Sequence, residues 1–186
     1  MRVLIVLCVW LLAAAAQAEP GIGASVNSGS ETIYVPVTLS AKFMAEPYLS
    51  YQTEKQKTGT EVTSKATTIG VGLFRTRDFA ENFTIYYGAR LAYLKQEQST
   101  TVTNFITGEL AGINQIELDG YSIAPTLGFE YRVAGHLTVG AEIAAEHSDL
   151  DGKEATESPT GLALTTVNQS RIRTQTMTNI ILRYFF

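Results

Sequence analysis

The 186-residue chain has a single cysteine, Cys8, and it lies inside an N-terminal apolar run, Val3 to Ala16. Arg2 precedes that run, and Ala16-Gln17-Ala18 closes it before Glu19-Pro20. A positive start, an apolar middle and a small-x-small end are the marks of a secretory leader, here cleaved after Ala18. Cys8 is not at the end of the run, where a lipoprotein acylation site would fall. Residues 1–18 are therefore expected to be a signal peptide, and 19–186 one domain with no cysteine. Disulfides, thiol catalysis and cysteine-bound metal are excluded from that domain. A second absence is a long apolar stretch: the leader's run is shorter than the roughly twenty residues a spanning helix needs, and nothing later approaches it. Any membrane span must then be built of strands, because only helices and closed barrels satisfy the backbone in lipid. Basic residues are also few. Removing Arg2 with the leader leaves 13 Lys and Arg against 18 Asp and Glu, a net charge of −5, which argues against nucleic acid as a partner. No phosphate-binding glycine loop, metal-ligand cluster or nucleotide motif is present, so no cofactor is implied.

What the sequence has is alternation of period two, in segments separated by polar or glycine-containing links. That pattern predicts eight strands over 20–28, 31–40, 43–54, 64–76, 82–96, 119–133, 136–148 and 171–186, and an all-β, antiparallel, up-and-down transmembrane barrel. In 119–133 the outward set is Tyr121, Ile123, Pro125, Leu127, Phe129, Tyr131 and Val133, and the inward set is Ser122, Ala124, Thr126, Gly128, Glu130 and Arg132. Segments 82–96, 136–148 and 171–186 separate in the same way. With both termini at the periplasmic end, Phe83, Phe129, Tyr131, Tyr184 and Phe186 fall at one rim and Tyr51, Tyr93 and Tyr121 at the other, as two aromatic girdles would. The links at 40–43, 77–81 and 133–136 are short. Those at 97–118 and 149–170 read as long outer loops. Pro36, Pro47 and Pro125 interrupt proposed strands, so local bulges are expected there, and the Pro36 segment is the weakest of the eight.

The leader, Gly21-Ile22-Gly23-Ala24-Ser25-Val26, Glu46-Pro47-Tyr48-Leu49-Ser50-Tyr51, Tyr86-Tyr87-Gly88-Ala89-Arg90, Pro125-Thr126-Leu127-Gly128-Phe129-Glu130-Tyr131 and Gly140-Ala141-Glu142 together resemble the small outer-membrane β-barrels of OmpA/OmpX type. The resemblance covers essentially the whole mature chain. It implies a bacterial outer-membrane location, contact with outer-membrane lipid and lipopolysaccharide, and a barrel without the peptidoglycan-binding domain many members carry. The terminal Arg183-Tyr184-Phe185-Phe186 resembles the aromatic signal read by the barrel-assembly machinery, with Tyr184 and Phe186 as its carriers.

Six inward charges, Glu46, Arg90, Glu130, Arg132, Glu142 and Arg183, form the main candidate site. An eight-stranded barrel is barely wide enough for its own side chains, so charges inside it must pair. Gly70, Gly72, Gly88, Gly128 and Gly140 fall on the same face, leaving room for long Arg and Glu side chains. A salt-bridged plug is the simplest outcome, and a narrow ion path through it is the alternative. His147 and Ser148 invite comparison with barrel enzymes that act on lipid A, but adjacent strand residues point to opposite faces. His136 falls in a turn as a solvated residue. In 97–118, Val102 to Ile106 and Ile113 to Leu118 could pair as a hairpin, and Phe105, Ile106, Leu110, Ile113 and Ile116 could either pack on neighbouring loops or offer an edge to a surface protein partner. The expected function is a monomeric, non-enzymatic barrel serving envelope integrity or surface interaction through its outer loops. A low-conductance pore and a lipid A-modifying enzyme are the alternatives.

Overall fold

A computed structural model describes residues 19–27, 30–57, 61–103, 110–157 and 163–186. The leader and two of the candidate loop residues, Phe105 and Ile106, lie outside them. Nine strand segments follow one another: β1 Glu19–Asn27, β2 Ser30–Tyr34, β3 Val37–Ser40, β4 Phe43–Lys57, β5 Glu61–Ala80, β6 Phe83–Thr103, β7 Leu110–Ala134, β8 Leu137–Glu157 and β9 Ala163–Phe185. Each pairs antiparallel with the next, except that β2 and β3 are two halves of one stave broken at Val35-Pro36. Pairing of β1 with β9, from Gly21↔Phe185 to Val26↔Ile180, closes a ring of eight staves.

The register defines the barrel's shape. Gly23 leads across the wall through Tyr34, Tyr48, Gly70, Ala92, Ser122 and Ser148 to Arg173. The closing seam, however, pairs Gly23 with Arg183. The offset between Arg173 and Arg183 is ten residues, and in a ring of eight it tilts the strands by about 40°.

Strand alternation sorts the side chains as the hydrophobic pattern demands. On β7, Tyr121, Ile123, Leu127, Phe129, Tyr131 and Val133 are exposed on the outer wall, while Ser122, Ala124, Thr126 and Glu130 are buried inside. Aromatics gather at two levels of that wall. Near the short turns at 41–42, 81–82 and 135–136, Phe83 stacks on Phe129 (5.6 Å), Phe79 meets Phe83 edge-on (6.1 Å) and Tyr184 meets Phe186 (5.5 Å). At the other level Tyr93 and Tyr121 meet at 5.6 Å, and Tyr93 Oη donates to Asp119 at 2.9 Å. Beyond Tyr93 and Tyr121 the outward positions become mostly polar, with Lys95, Glu97, Glu117 and Asp119. The turn end is called the lower end below.

Three expectations need correction. Segments 97–118 and 149–170 are not long loops: β6–β7 pairing runs up to Thr103↔Leu110 and β8–β9 pairing up to Glu157↔Ala163. The pairing expected within 97–118, Val102 to Ile106 against Ile113 to Leu118, is not the one formed. Ile113 pairs with Thr101 and Ile116 with Gln98, as a continuation of the wall strands, and residues 104–106 lie outside the described residues. At ~3.3 Å per residue and a tilt of about 40°, the 25 residues of β7 rise about 60 Å, more than twice the ~25 Å apolar band of such barrels. Second, neither Pro47 nor Pro125 carries a bulge. The β4–β5 register passes through Pro47↔Val71 unshifted, and the β7–β8 ladder omits Ala124 and Pro125 but resumes in phase. Only Pro36 breaks its stave, and the register shifts sit next to strand ends, as at Asp78/Ala80 and Arg132/Ala134. Third, Ile116 has inward parity. It packs with Tyr48 against a buried cluster of Ala92, Leu94, Leu118 and Leu150, so it is not an outward contact residue. Ile113 is half-buried on the opposite face.

Among the described residues the upper sheet does not close. β1 reaches only Val26 along β9, and β2 reaches only Glu31 along β4, opposite Tyr51. Among the described residues, 163–179 of β9 and 52–57 of β4 therefore lack a neighbour on one side. Strands β4 to β9 rise as an open, six-stranded sheet with a gap above the β1–β2 hairpin.

Candidate functional site

Five of the six predicted lumen charges meet. Arg90 binds Glu46 at 2.6 Å and also Glu142, while Arg183 binds both Glu46 and Glu130. The result is one chain, Glu142–Arg90–Glu46–Arg183–Glu130, with Glu46 as the shared link. Glu46 and Arg183 are fully buried. Asn179 Nδ2 donates to Glu142 Oε1 at 2.8 Å and Tyr86 Oη to Glu142 Oε2 at 3.1 Å, so Glu142 gains two neutral donors beside its guanidinium. A buried ion is tolerated only when paired and hydrogen-bonded in this way. Arg132 does not join. It shares the inward parity but lies exposed at the lower end, beyond the packed section of the lumen, where its amide donates to Asn82 O at 2.8 Å.

Four aromatic rings complete the plug. The Arg90 guanidinium lies 5.2 Å from the Tyr34 ring, 5.7 Å from Tyr48 and 5.1 Å from Phe74, and that of Arg183 lies 5.0 Å from Tyr86. Tyr34 Oη and Ser25 Oγ share a 2.6 Å hydrogen bond. The glycines serve these rings more than the charges. Gly128 is the register partner of Tyr86, whose ring occupies the space a Cβ there would need. A Cβ on Gly70 would stand 2.7 Å from Tyr48 Cε1, and the ring of Phe74 covers Gly72 in the same way. Of the five glycines expected to seat Arg and Glu, Gly140 most directly does so, with Glu130 Cγ 3.0 Å from its would-be Cβ. Sequence reasoning missed this collar, although an inward Tyr or Phe opposite a glycine on the neighbouring strand was a usable signal.

Other candidates separate. Ser148 is buried and His147 is exposed on the opposite face, where Nδ1 lies 3.0 Å from Thr174 Oγ1. The two side chains cannot cooperate. His136 is exposed in its turn, with its ring 5.9 Å from Tyr184 and its carbonyl accepting from Phe185 N at 2.8 Å. Tyr184 and Phe186 are exposed on the outer wall at the lower rim.

Above the plug the lumen widens into an upward-facing vestibule of ≈150 Å³. Tyr34, Tyr48 and Arg90 lie at its base, and Glu146, Gln175, Met177 and Arg173 are among its walls.

No family model and no curated protein sequence matches the chain. Solved structures do. A major outer membrane protein from Thermus thermophilus superposes with a TM-score of 0.63 at 8% identity, over 91% of this chain and 99% of that one. Neisserial surface protein A does so with a TM-score of 0.51 at 16% identity, over 91% and 94%. The fold is that of the small outer-membrane β-barrels. Agreement over almost the full length of both relatives at such low identity rests on architecture, so it is the closed, tilted ring that the three chains share.

Proposed function

We propose that the chain is a non-enzymatic barrel of the bacterial outer membrane that holds an open β-sheet above the lipid for pairing with an extended segment of a surface partner. The observation that carries this reading is the height mismatch between the closed ring and its tallest strands. The ring ends at the β1–β2 hairpin, while β6 to β9 continue to Thr103, Leu110, Glu157 and Ala163. Among the described residues the strip 163–179 has no strand neighbour on one side, and such an edge adds a strand through main-chain hydrogen bonds. The apolar outer wall between two aromatic levels suits a bilayer with the sheet on its outer side, in contact with lipid and lipopolysaccharide. The outward Tyr184 and Phe186 suit docking by the assembly machinery. A ring closed by its own strands needs no second copy to satisfy its backbone in lipid, which supports a monomer.

The test is to shorten the sheet in register, replacing 97–117 and 151–170 each by an Asn-Gly turn so that Gln96↔Leu118 and Leu150↔Arg171 become the closing pairs, and to present cells carrying either form to a candidate surface ligand. The shortened protein is expected to keep its barrel, seen as different gel mobility before and after boiling, and to lose binding. Full binding by the shortened barrel would sink the proposal.

A further inference from the structure

The buried charges of the lumen do not balance. Two arginines, Arg90 and Arg183, stand against four glutamates, Glu46, Glu130, Glu142 and Glu146, a net of −2. The first three glutamates are held in the ion-pair chain. Glu146 is not: it is only 9% exposed and lines the vestibule. Its Oε2 accepts from Gln175 Nε2 at 2.6 Å, and it has no ion pair among the described residues. A carboxylate so enclosed is costly without a cation.

Its surroundings indicate which cation. Two tyrosine rings, Tyr34 and Tyr48, stand 6.1 Å apart at the base of the cavity. The Arg90 guanidinium already lies within cation–π reach of both, at 5.2 and 5.7 Å, so a further cation meets them as an aromatic floor and is held by Glu146. Gln52, Gln96 and Asn179 add amide oxygens that accept from N–H donors. A hard divalent ion would need more carboxylates and tighter geometry, and among the described residues no group of three acidic, His or Cys side chains is placed to hold one. A volume of ≈150 Å³ is also far more than a bare ion fills.

We propose that the vestibule is a binding site for a small organic cation bearing a primary ammonium, with Glu146 as its counter-charge and the tyrosine rings and amide oxygens as its lining. Arg173, exposed on the same inward face of β9 and also lining the cavity, is the competing internal cation. The site needs only the folded barrel, so it stands or falls separately from the sheet-edge reading.

Met177 lines this cavity, whereas Met44 belongs to the lower core with Phe74, Tyr86 and Ile181. Methyl-labelled barrel in lipid nanodiscs therefore carries both a reporter and an internal control. Titration with 1,5-diaminopentane is expected to shift the Met177 methyl saturably and leave Met44 unmoved, while 1,5-pentanediol, of similar length but neutral, leaves both unmoved. Glu146→Gln should weaken the diamine at least tenfold, and Arg173→Gln, at an exposed position with no fold to lose, should tighten it severalfold. Equal response to diamine and diol, unchanged binding in either variant, or a Met177 shift by magnesium chloride below the diamine's range would overturn the proposal.

Discussion

At the scale of single residues, Arg183 is the clearest point of leverage. It is fully buried and links Glu46 to Glu130. Removing one partner of a buried pair leaves an uncompensated charge, at a cost of about 3–5 kcal/mol. Arg183→Ala is expected to lower stability by that amount in denaturant unfolding from lipid vesicles. Adding Glu130→Gln should return part of it, because the stranded carboxylate is then gone. A single variant as stable as the parent would contradict the ion-pair chain. The pair Lys95–Glu97, 2.6 Å apart and about half exposed above the upper aromatics, behaves differently. The hydrogen bond and charge of Lys95 hold the Glu97 carboxyl below its ordinary range, and Glu97 in turn raises Lys95. Stabilisation from Glu97 is thus present at neutral pH and lost as pH falls through its lowered pKa. That from Lys95 is present at neutral pH and lost as pH rises above the ordinary lysine range. Both effects are small and fade with salt. Carboxyl NMR should show Glu97 titrating below a reference Glu at low salt and returning to it in Lys95→Met.

At the scale of strands, alternation made most of the wall legible. The period-two pattern places Arg90, Glu130, Glu142 and Arg183 inside and Tyr121, Phe129 and Tyr184 outside, and each is found there. Strand ends were not legible in the same way. Residues 97–118 look like a loop because their outward positions, such as Glu97, Gln115 and Glu117, are polar. Above a bilayer the outer face of a strand meets water, so its outward apolar positions vanish while pairing continues and Ile116 and Leu118 stay packed inside. Arg132 shows the complementary error: parity put it inside, but parity says nothing of height, and it lies below the packed section. The same alternation puts Glu146 on the inward face with Glu142, but a sequence shows which face a charge occupies and not whether its partners are already taken.

At the scale of the whole molecule, the ring and its contents decide permeability. Five paired charges and four rings occupy a lumen that an eight-stranded ring makes barely wide enough for side chains. The intact barrel is expected to give no regular single-channel steps in planar bilayers. Arg90→Ala removes the guanidinium that Tyr34, Tyr48 and Phe74 surround, and it should introduce brief, cation-preferring steps because the remaining carboxylates outnumber the cations. Regular steps from the intact protein would favour a pore instead.

The uneven heights of the staves also bear on how the cylinder comes to exist. The join between first and last strands holds only six residue pairs, Gly21↔Phe185 to Val26↔Ile180, whereas β6 and β7 share a ladder from Phe83↔Tyr131 to Thr103↔Leu110. A curved sheet of β4 to β9 can form from neighbours in the chain, while the seam must bring the two ends of the domain together at the greatest loop-closure cost. The seam is then the last stitch to be made and the first to slip. Amide exchange in nanodiscs should find Gly23, Ala24, Ile181 and Leu182 opening well before Tyr87, Ala89, Leu127 and Phe129, because the short join can part while the long ladders on the far side of the ring stay zipped.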